Sequence, residues 1–494
     1  MHIVSNVIGK FWNLLSIIIF TPLYIKLLGF DSYAIISFSV LLYSIITLLN
    51  GGMPASLSRE LARNDIDLNK KIKTYDTLKT TYLFVVFFIL ILIFIFSDSI
   101  INNFIKTDKF SSDRLKIMLY VIGFGSGFQM IFRFLNAGLI ALEKQILANK
   151  LLISWGIFRN ALVLVVVYFY PLIEYFFFWQ AIVTFTFSAI ALYYLTTSLS
   201  GRFSLRLNFD LKTIKRIWQF TAGMFLTSLI SVLSQQTDKL ILSNTLSINE
   251  LGYYSLAFTL SIFIVSSISP LSITILPRLT SYFSTEHNIK AINLYSNFQK
   301  ISLIVIFSIS ANFIFFQYEI LFMWLNNEDI AEIVSSFFPV VVIGYTFWAI
   351  HVMPFNVAIA NGYTALNVRL GIILLIITSP LYFILIKQLG TIGAAYVFCF
   401  GQLIYVLIYY YVINKKYLKL NFKDLILDPL IKPLVISTLI VMFFKILKPY
   451  LFDFRVFNFF YILLSTLTCL TLATLTSFKL SEIKLMSKKI LKIT

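Results

Sequence analysis

Residues 81–96 read TYLFVVFFILILIFIF, a stretch with no charged side chain and no glycine or proline to interrupt a helix. Similar runs recur along almost the whole chain with short polar breaks between them, and this constrains the fold more than any motif. Inside a bilayer each backbone N–H and C=O has to find its partner within the chain, so a run of about 20 apolar residues crosses as a helix. Runs at 7–28, 34–50, 81–100, 117–141, 146–169, 175–199, 217–246, 253–276, 301–324, 333–360, 367–386, 394–413, 433–447 and 459–477 qualify. The expectation is an all-α integral membrane protein with about 14 transmembrane helices. At 59% hydrophobic and 13% charged, the chain leaves no soluble domain over. The first run is too long for a signal-peptide core, lacks a small-residue cleavage site and holds Pro22 and Lys26, so it reads as a retained span.

A net charge of +18 could suggest nucleic acid, but the basic residues are spread over loops between apolar runs, and no nucleic-acid partner is expected. The basic loops at 59–79, 202–216 and 415–432 and the tail at 479–492 alternate as the positive-inside rule requires. Both termini are therefore expected on the cytoplasmic side. Opposite them the breaks at 170–174, 248–252 and 325–332 contain no lysine or arginine and leave no room for an outer domain. The loop RFSLRLNFDLKTIKR at 202–216 is expected along the anionic inner leaflet, gaining about 1 kcal/mol per basic residue near the surface. Contact with a phosphate-bearing substrate is the sharper alternative.

An internal repeat organises the chain. Leu28-Gly29 with Tyr33 and Ala34 reappears as Leu251-Gly252 with Tyr254 and Ala257; Arg59 corresponds to Arg278, and Phe134-Leu135-Asn136 to Pro354-Phe355-Asn356. All three offsets lie near ~220 residues. Two six-helix halves in parallel orientation follow, 1–210 and 211–413, with 414–494 holding two additional helices and a basic tail. Parallel repeats of this kind usually flank a path near the midplane, which points to transport by alternating access.

Enzyme signatures are sparse. His2, His287 and His351 are scattered, so neither a metal cluster nor a cofactor site can be assembled, and no phosphate-binding GxxxxGK[ST] loop is present. Cys399 and Cys469 each lie in an apolar run and read as packing residues. Gly123, Gly125 and Gly127 read as a close-packing patch.

Polar side chains within spans are more telling. In the fourth span Ser126, Gln129, Arg133, Asn136 and Glu143 fall on one helical face, with Phe128, Ile131, Phe132, Leu135, Leu139 and Ile140 over the rest. An arginine at mid-bilayer costs roughly 2.5–3.5 kcal/mol, so it normally faces protein or a water-filled cavity. The first span adds Lys10 and Asn13, following Asn6, and the fifth adds Arg159. Arg159 follows Trp155 by four residues, so a structural cation–aromatic contact stands beside a cavity role. The seventh span carries Ser228, Ser231, Gln235 and Asp238 on one side; Lys239 is adjacent and need not pair with Asp238. An interfacial position is the alternative for both of these charges. His351 is either a hydrogen-bonded core histidine or a titrating coupling group, a role also open to Asp238. Glu319 is expected at the outer end of the ninth span. Arginines facing hydroxyls and amides would suit an anionic, sugar-rich substrate, because the planar guanidinium fork fits phosphate.

Pro22, Leu28-Gly29, Tyr33, Gly51-Gly52 and Ser58-Arg59-Glu60-Leu61 resemble the polysaccharide transporters of the multidrug/oligosaccharidyl-lipid/polysaccharide (MOP) superfamily, whose drug exporters are the MATE proteins. Asp238-Lys239 followed by 250–257 (ELGYYSLA), Met323-Trp324-Leu325 and 390–396 (GTIGAAY) are similar to the same family. The resemblance covers residues up to about 413. It implies a flippase of the O-antigen, or Wzx, type that carries undecaprenyl-pyrophosphate-linked oligosaccharide units across the inner membrane, coupled to an ion gradient. Its partners would be the lipid-linked oligosaccharide, membrane lipids and other polysaccharide-assembly proteins. It also implies a cationic lumen between two lobes, to which Arg133 and Arg159 correspond by position. The two extra helices resemble the lipid II flippase branch. Competing readings are a cation-coupled drug exporter of the superfamily, which would be expected to place carboxylates in its cavity, and a membrane glycan polymerase or acyltransferase, which would need a polar outer loop or intramembrane histidines.

Overall fold

A computed structural model describes residues 16–448 and 455–478, and the elements assigned there are helical. Lys10 and Asn13, with Asn6 and the tail at 479–492, lie outside the described residues. Among the described residues thirteen helices are long and apolar enough to cross a membrane, and the described part of the first expected span is the shorter apolar helix Ser16–Leu28. Each of the other thirteen expected spans falls on one of these long helices. Several helices overrun the apolar run at one end: the third span begins at Leu68 and the seventh at Leu211, so basic segments that read as loops belong to these helices. Hydropathy marks only the part of a helix that sits in hydrocarbon.

By its internal packing the chain divides into two compact units, the first ending at Ser255 and the second beginning at Leu256. The first contains α1 (Ser16–Leu28), α2 (Phe30–Ile46), α3 (Met53–Ala62), α4 (Leu68–Ile95), α5 (Ser97–Phe104), α6 (Ser112–Ala141), α7 (Gln145–Gly156), α8 (Val163–Phe169), α9 (Ile173–Ser200) and α10 (Leu211–Thr245). Helix α11 (Ile248–Ser284) starts in the first unit and continues into the second. The second unit then runs through α12 (Asn288–Phe315), α13 (Gln317–Leu325), α14 (Glu328–Ser335), α15 (Phe338–Ala360), α16 (Ala365–Leu389), α17 (Thr391–Ile413), α18 (Lys432–Leu447) and α19 (Arg455–Ser477).

In the first unit α6 is the central helix, packed against α3, α4 and α9. Lipid tails are as apolar as leucine, so association here depends on close fit and not on burial from water. The glycines of α6 supply that fit. A Cβ on Gly127 would come 2.8 Å from Val86, one on Gly123 2.8 Å from Ile93, and one on Gly138 2.7 Å from Leu195. Tyr82 of α4 stacks on Phe134 with centroids 4.6 Å apart, and Phe132 meets Phe187 of α9 edge-on.

Helix α10 groups with the helices that precede it. At one end Arg216 pairs with the buried carboxylate of Glu60 at 3.1 Å and donates to Thr74, while Ser56 and Thr221 share a hydrogen bond of 2.7 Å. There Gly51 and Gly52 turn the chain with φ of 61° and 71°, a region open to glycine. A Cβ on Gly52 would lie 2.7 Å from Met224 Cβ and 2.8 Å from the Thr221 carbonyl oxygen. At the other end of α10, Asn244 donates to the Asn103 carbonyl and accepts at its own carbonyl from Lys106.

In the second unit α12 packs on α15, α18 and α19. Ser437 of α18 and Ser465 of α19 are fully buried, and Cys469 donates weakly to the Ser437 carbonyl. Both cysteines are free thiols. Glu319 at the start of α13 accepts from Lys445 at 2.6 Å and Lys448 at 2.9 Å, and Arg455 donates to the Met323 carbonyl. These bonds fasten the two additional helices to the rest of the unit.

Candidate functional site

The fifth span is not one continuous α-helix. Between α7 and α8 the residues Ile157–Ala161 form a π turn, with the Leu162 N–H reaching back five residues to the Ile157 carbonyl at 3.2 Å. In an α-helix that N–H would bond Phe158, so the Phe158 carbonyl is released. Trp179 of α9 takes it, donating through Nε1 at 2.8 Å. The Asn160 carbonyl accepts from the Tyr24 hydroxyl of α1 at 2.6 Å. Two side chains from different helices thus hold open a turn whose middle residue is Arg159.

Trp155, one turn before, is buried and fixed from two sides. Its Nε1 donates to Thr184 at 3.2 Å, and its ring lies 5.2 Å from that of Phe132. Two guanidiniums face this indole, with Arg159 Cζ 5.2 Å and Arg133 Cζ 5.6 Å from the ring centroid. Both are within the range of a cation–π attraction worth about 0.5–2 kcal/mol. Tyr24, Tyr43 and Arg133, two phenols and a second cation, lie near Arg159. Tyr43 of α2 lies beside Gln129, Arg133 and Arg159.

Ser126, Gln129 and Asn136 are buried within the unit, Arg133 is exposed, and Glu143 lies past the helix end with φ of 60°. Asn136 Oδ1 is buried without a hydrogen-bond partner. Arg133, Arg159 and Gln129 come together around Tyr43 and Trp155. For Arg159 the cation–aromatic contact and membership of the cluster are both present.

The other expected residues lie elsewhere. Gln235 is exposed on α10 and donates to Ser231 at 3.0 Å. Asp238 is buried, accepting from the Tyr254 hydroxyl at 2.9 Å and the Lys239 backbone N–H at 2.8 Å. Lys239 Nζ approaches the same carboxylate at 3.5 Å, so these adjacent residues do pair, the long lysine chain curling back along the helix. His351, in the second unit, is buried against Tyr405 and Tyr409 with centroids 5.2 and 5.5 Å away. Tyr405 in turn donates to Asn367 Oδ1 at 3.0 Å. Glu319, read as the end of a span, is a bridging carboxylate. Burial alone would raise its carboxyl, but the hydrogen bonds from Lys445 and Lys448 hold it below its ordinary value.

Tyr24, Tyr43 and Trp179 escaped the sequence reading. Each is an aromatic residue in an apolar run, and only the polar atom at the ring's tip distinguishes it from a packing residue.

The family model for "Polysaccharide biosynthesis protein" matches residues 2–283. No curated protein matches the chain. Among solved structures, the lipid II flippase MurJ in an inward closed conformation superposes with a TM-score of 0.74 at 15% identity, covering 95% of this chain and 97% of that one. An inward-facing multidrug resistance MATE family transporter of the MOP superfamily gives 0.66 at 15% identity, over 82% and 95% of the two chains. A MOP superfamily transporter from Pyrococcus furiosus, described as having a binding pocket of reverse polarity, gives 0.58 at 13% identity over 85% and 95%. The fold is that of the MOP-superfamily transporters.

Proposed function

Because this chain belongs to the polysaccharide biosynthesis protein family, we propose that it is a flippase moving an undecaprenyl-pyrophosphate-linked oligosaccharide across the bacterial cytoplasmic membrane, supplying O-antigen or a related surface polysaccharide. The observation that carries this reading is the pair Arg133 and Arg159 gathered on Trp155 beside Tyr43 and Gln129. Guanidinium forks bind phosphate oxygens in pairs, and an indole behind them limits how far they move without adding a competing negative charge. Phenol and amide groups beside the cations replace water around sugar hydroxyls. The polyprenyl tail stays in the bilayer while the head group passes.

Transport on this reading proceeds by alternating access of two repeated six-helix halves, 1–210 and 211–413, with both termini in the cytoplasm and α18 and α19 as an addition. It is driven by an ion gradient for which Asp238 and His351 are the coupling candidates. A cation-coupled drug exporter would need acids toward its substrate, and the cluster of the first unit is cationic.

The test is complementation in a strain whose surface glycan depends on this protein. Arg133→Ala and Arg159→Ala at normal abundance should lower surface glycan at least tenfold and accumulate the lipid-linked precursor inside. Unchanged surface glycan with both variants would remove the cluster from the path. Loss of cationic-dye efflux with intact glycan would favour the exporter.

A further inference from the structure

The segment joining α9 to α10 forms neither helix nor strand over residues 203–210, and its sequence alternates apolar and polar with a period of two. Phe203, Leu205, Leu207 and Phe209 are 48, 62, 65 and 51% exposed, and Leu211 continues the series at 62%. Between them stand Ser204, Arg206, Asn208 and Asp210. The Arg206 N–H donates to Ser204 Oγ at 3.3 Å and Asp210 is extended, so the segment is irregular, with every apolar side chain from Phe203 to Leu211 exposed and a polar residue between each pair.

The segment is held in place. The Asn208 N–H donates to Thr80 Oγ1 of α4 at 3.0 Å, Ser200 Oγ donates to the Arg202 carbonyl at 2.7 Å, and Asp210 caps α10 through the Thr213 N–H at 3.0 Å while pairing with Lys73. Both helices it joins are candidate membrane spans, so ten connecting residues keep it at the bilayer surface. Exposed aromatics mark the same level: Tyr193 near the end of α9, its ring 5.9 Å from Phe203, and Trp218 near the start of α10. Arg202, Arg206, Lys212 and Lys215 are all exposed around it.

We propose that residues 203–211 form an in-plane membrane ribbon, its phenylalanines and leucines inserted among the acyl chains and its flanking arginines and lysines on anionic lipid headgroups. An exposed apolar stretch of this size is not left in water by a folded chain without a partner. The absence of helix or strand in this segment sets the depth: a backbone without regular internal pairing stays at the headgroup level, where water reaches it. Excess positive charge beside the apolar side chains selects an anionic bilayer surface over a protein groove.

The test uses the full chain with Cys399 and Cys469 replaced by serine, single cysteines introduced in turn at 203–209, a nitroxide on each, and nanodiscs of phosphatidylcholine with or without phosphatidylglycerol. Collisions with oxygen should dominate at 203, 205, 207 and 209, and collisions with a water-soluble nickel chelate at 204, 206 and 208. The label at 207 should sit deeper with phosphatidylglycerol present, and R202Q, R206Q, K212Q and K215Q combined should abolish that dependence. Equal nickel access at all positions, shielding of the odd positions from both reagents, or a depth indifferent to phosphatidylglycerol would overturn the proposal. These readouts do not depend on whether the protein moves a glycan.

Discussion

The hydroxyl of Tyr24 donates a 2.6 Å hydrogen bond to the carbonyl oxygen of Asn160, joining α1 to the π turn that carries Arg159. Tyr24→Phe removes this bond, and Trp179→Phe removes its counterpart at Phe158. Each change should cost about 1 kcal/mol in stability. If the turn positions Arg159, each should also lower surface glycan with little change in abundance. Activity unchanged in the double variant would show that the turn's geometry is incidental.

Trp155 holds two cations on one ring, so its replacements should grade. Trp155→Phe keeps a weaker aromatic face but loses the hydrogen bond to Thr184; Trp155→Leu loses both. Transport should fall in the order Trp, Phe, Leu, measured as precursor accumulation at matched protein levels. Equal activity of Phe and Leu would mean that the ring's electrons do nothing for the arginines.

Gly52→Ala places a Cβ 2.7 Å from Met224 Cβ on a residue with φ of +71°. Strain and overpacking together should cost about 2–4 kcal/mol. The readout is the thermal unfolding midpoint in detergent, which should drop by several degrees. Gly201→Ala, with φ of +70° and open space around it, serves as the control for backbone strain alone and should cost less.

Asp210 lies outside the spans, and its hydrogen bonds from Thr213 and then Lys73 lower its carboxyl from 3.8 to about 2. The folded value lies below the unfolded one, so this stabilisation is fully present above the unfolded value and is lost as pH falls through about 2. Hydrogen exchange in the first turn of α10 should accelerate across that acidic window. Asp210→Ala should exchange fast already at neutral pH, with no further acceleration at low pH.

Glu319→Gln keeps the shape of a buried side chain that accepts from two lysines but removes its charge. A loss of about 1–2 kcal/mol is expected, discounted for the exposure of Lys445. Protease cleavage between α18 and α19 should become faster. Glu328→Gln, at an exposed position on α14, should leave cleavage unchanged.

The spans were legible because hydrocarbon tolerates little besides apolar helix, and Arg133 stood out because a charge there is costly. What stayed hidden depends on contacts far apart in sequence. Periodicity could place Arg159 on a helix, but not on a π turn, because that extra residue is stabilised by Tyr24 and Trp179 from other helices. Asp238 and Lys239 read as neighbours facing apart, whereas lysine's flexible chain lets its amine return. The same limit applied to Glu319, whose partners Lys445 and Lys448 lie more than a hundred residues downstream in sequence.

A π turn is a helix carrying one residue more than its hydrogen bonding needs. Excising a single residue from Ile157–Ala161 would restore regular α pairing and rotate α8 against α7 by about 100°. The surplus residue thus works as a mechanical phase shifter: an uninterrupted helix would turn Val163 about 80° and Val167 about 120° from Trp155, and the extra residue brings both to about 20°, so the three buried side chains share one face.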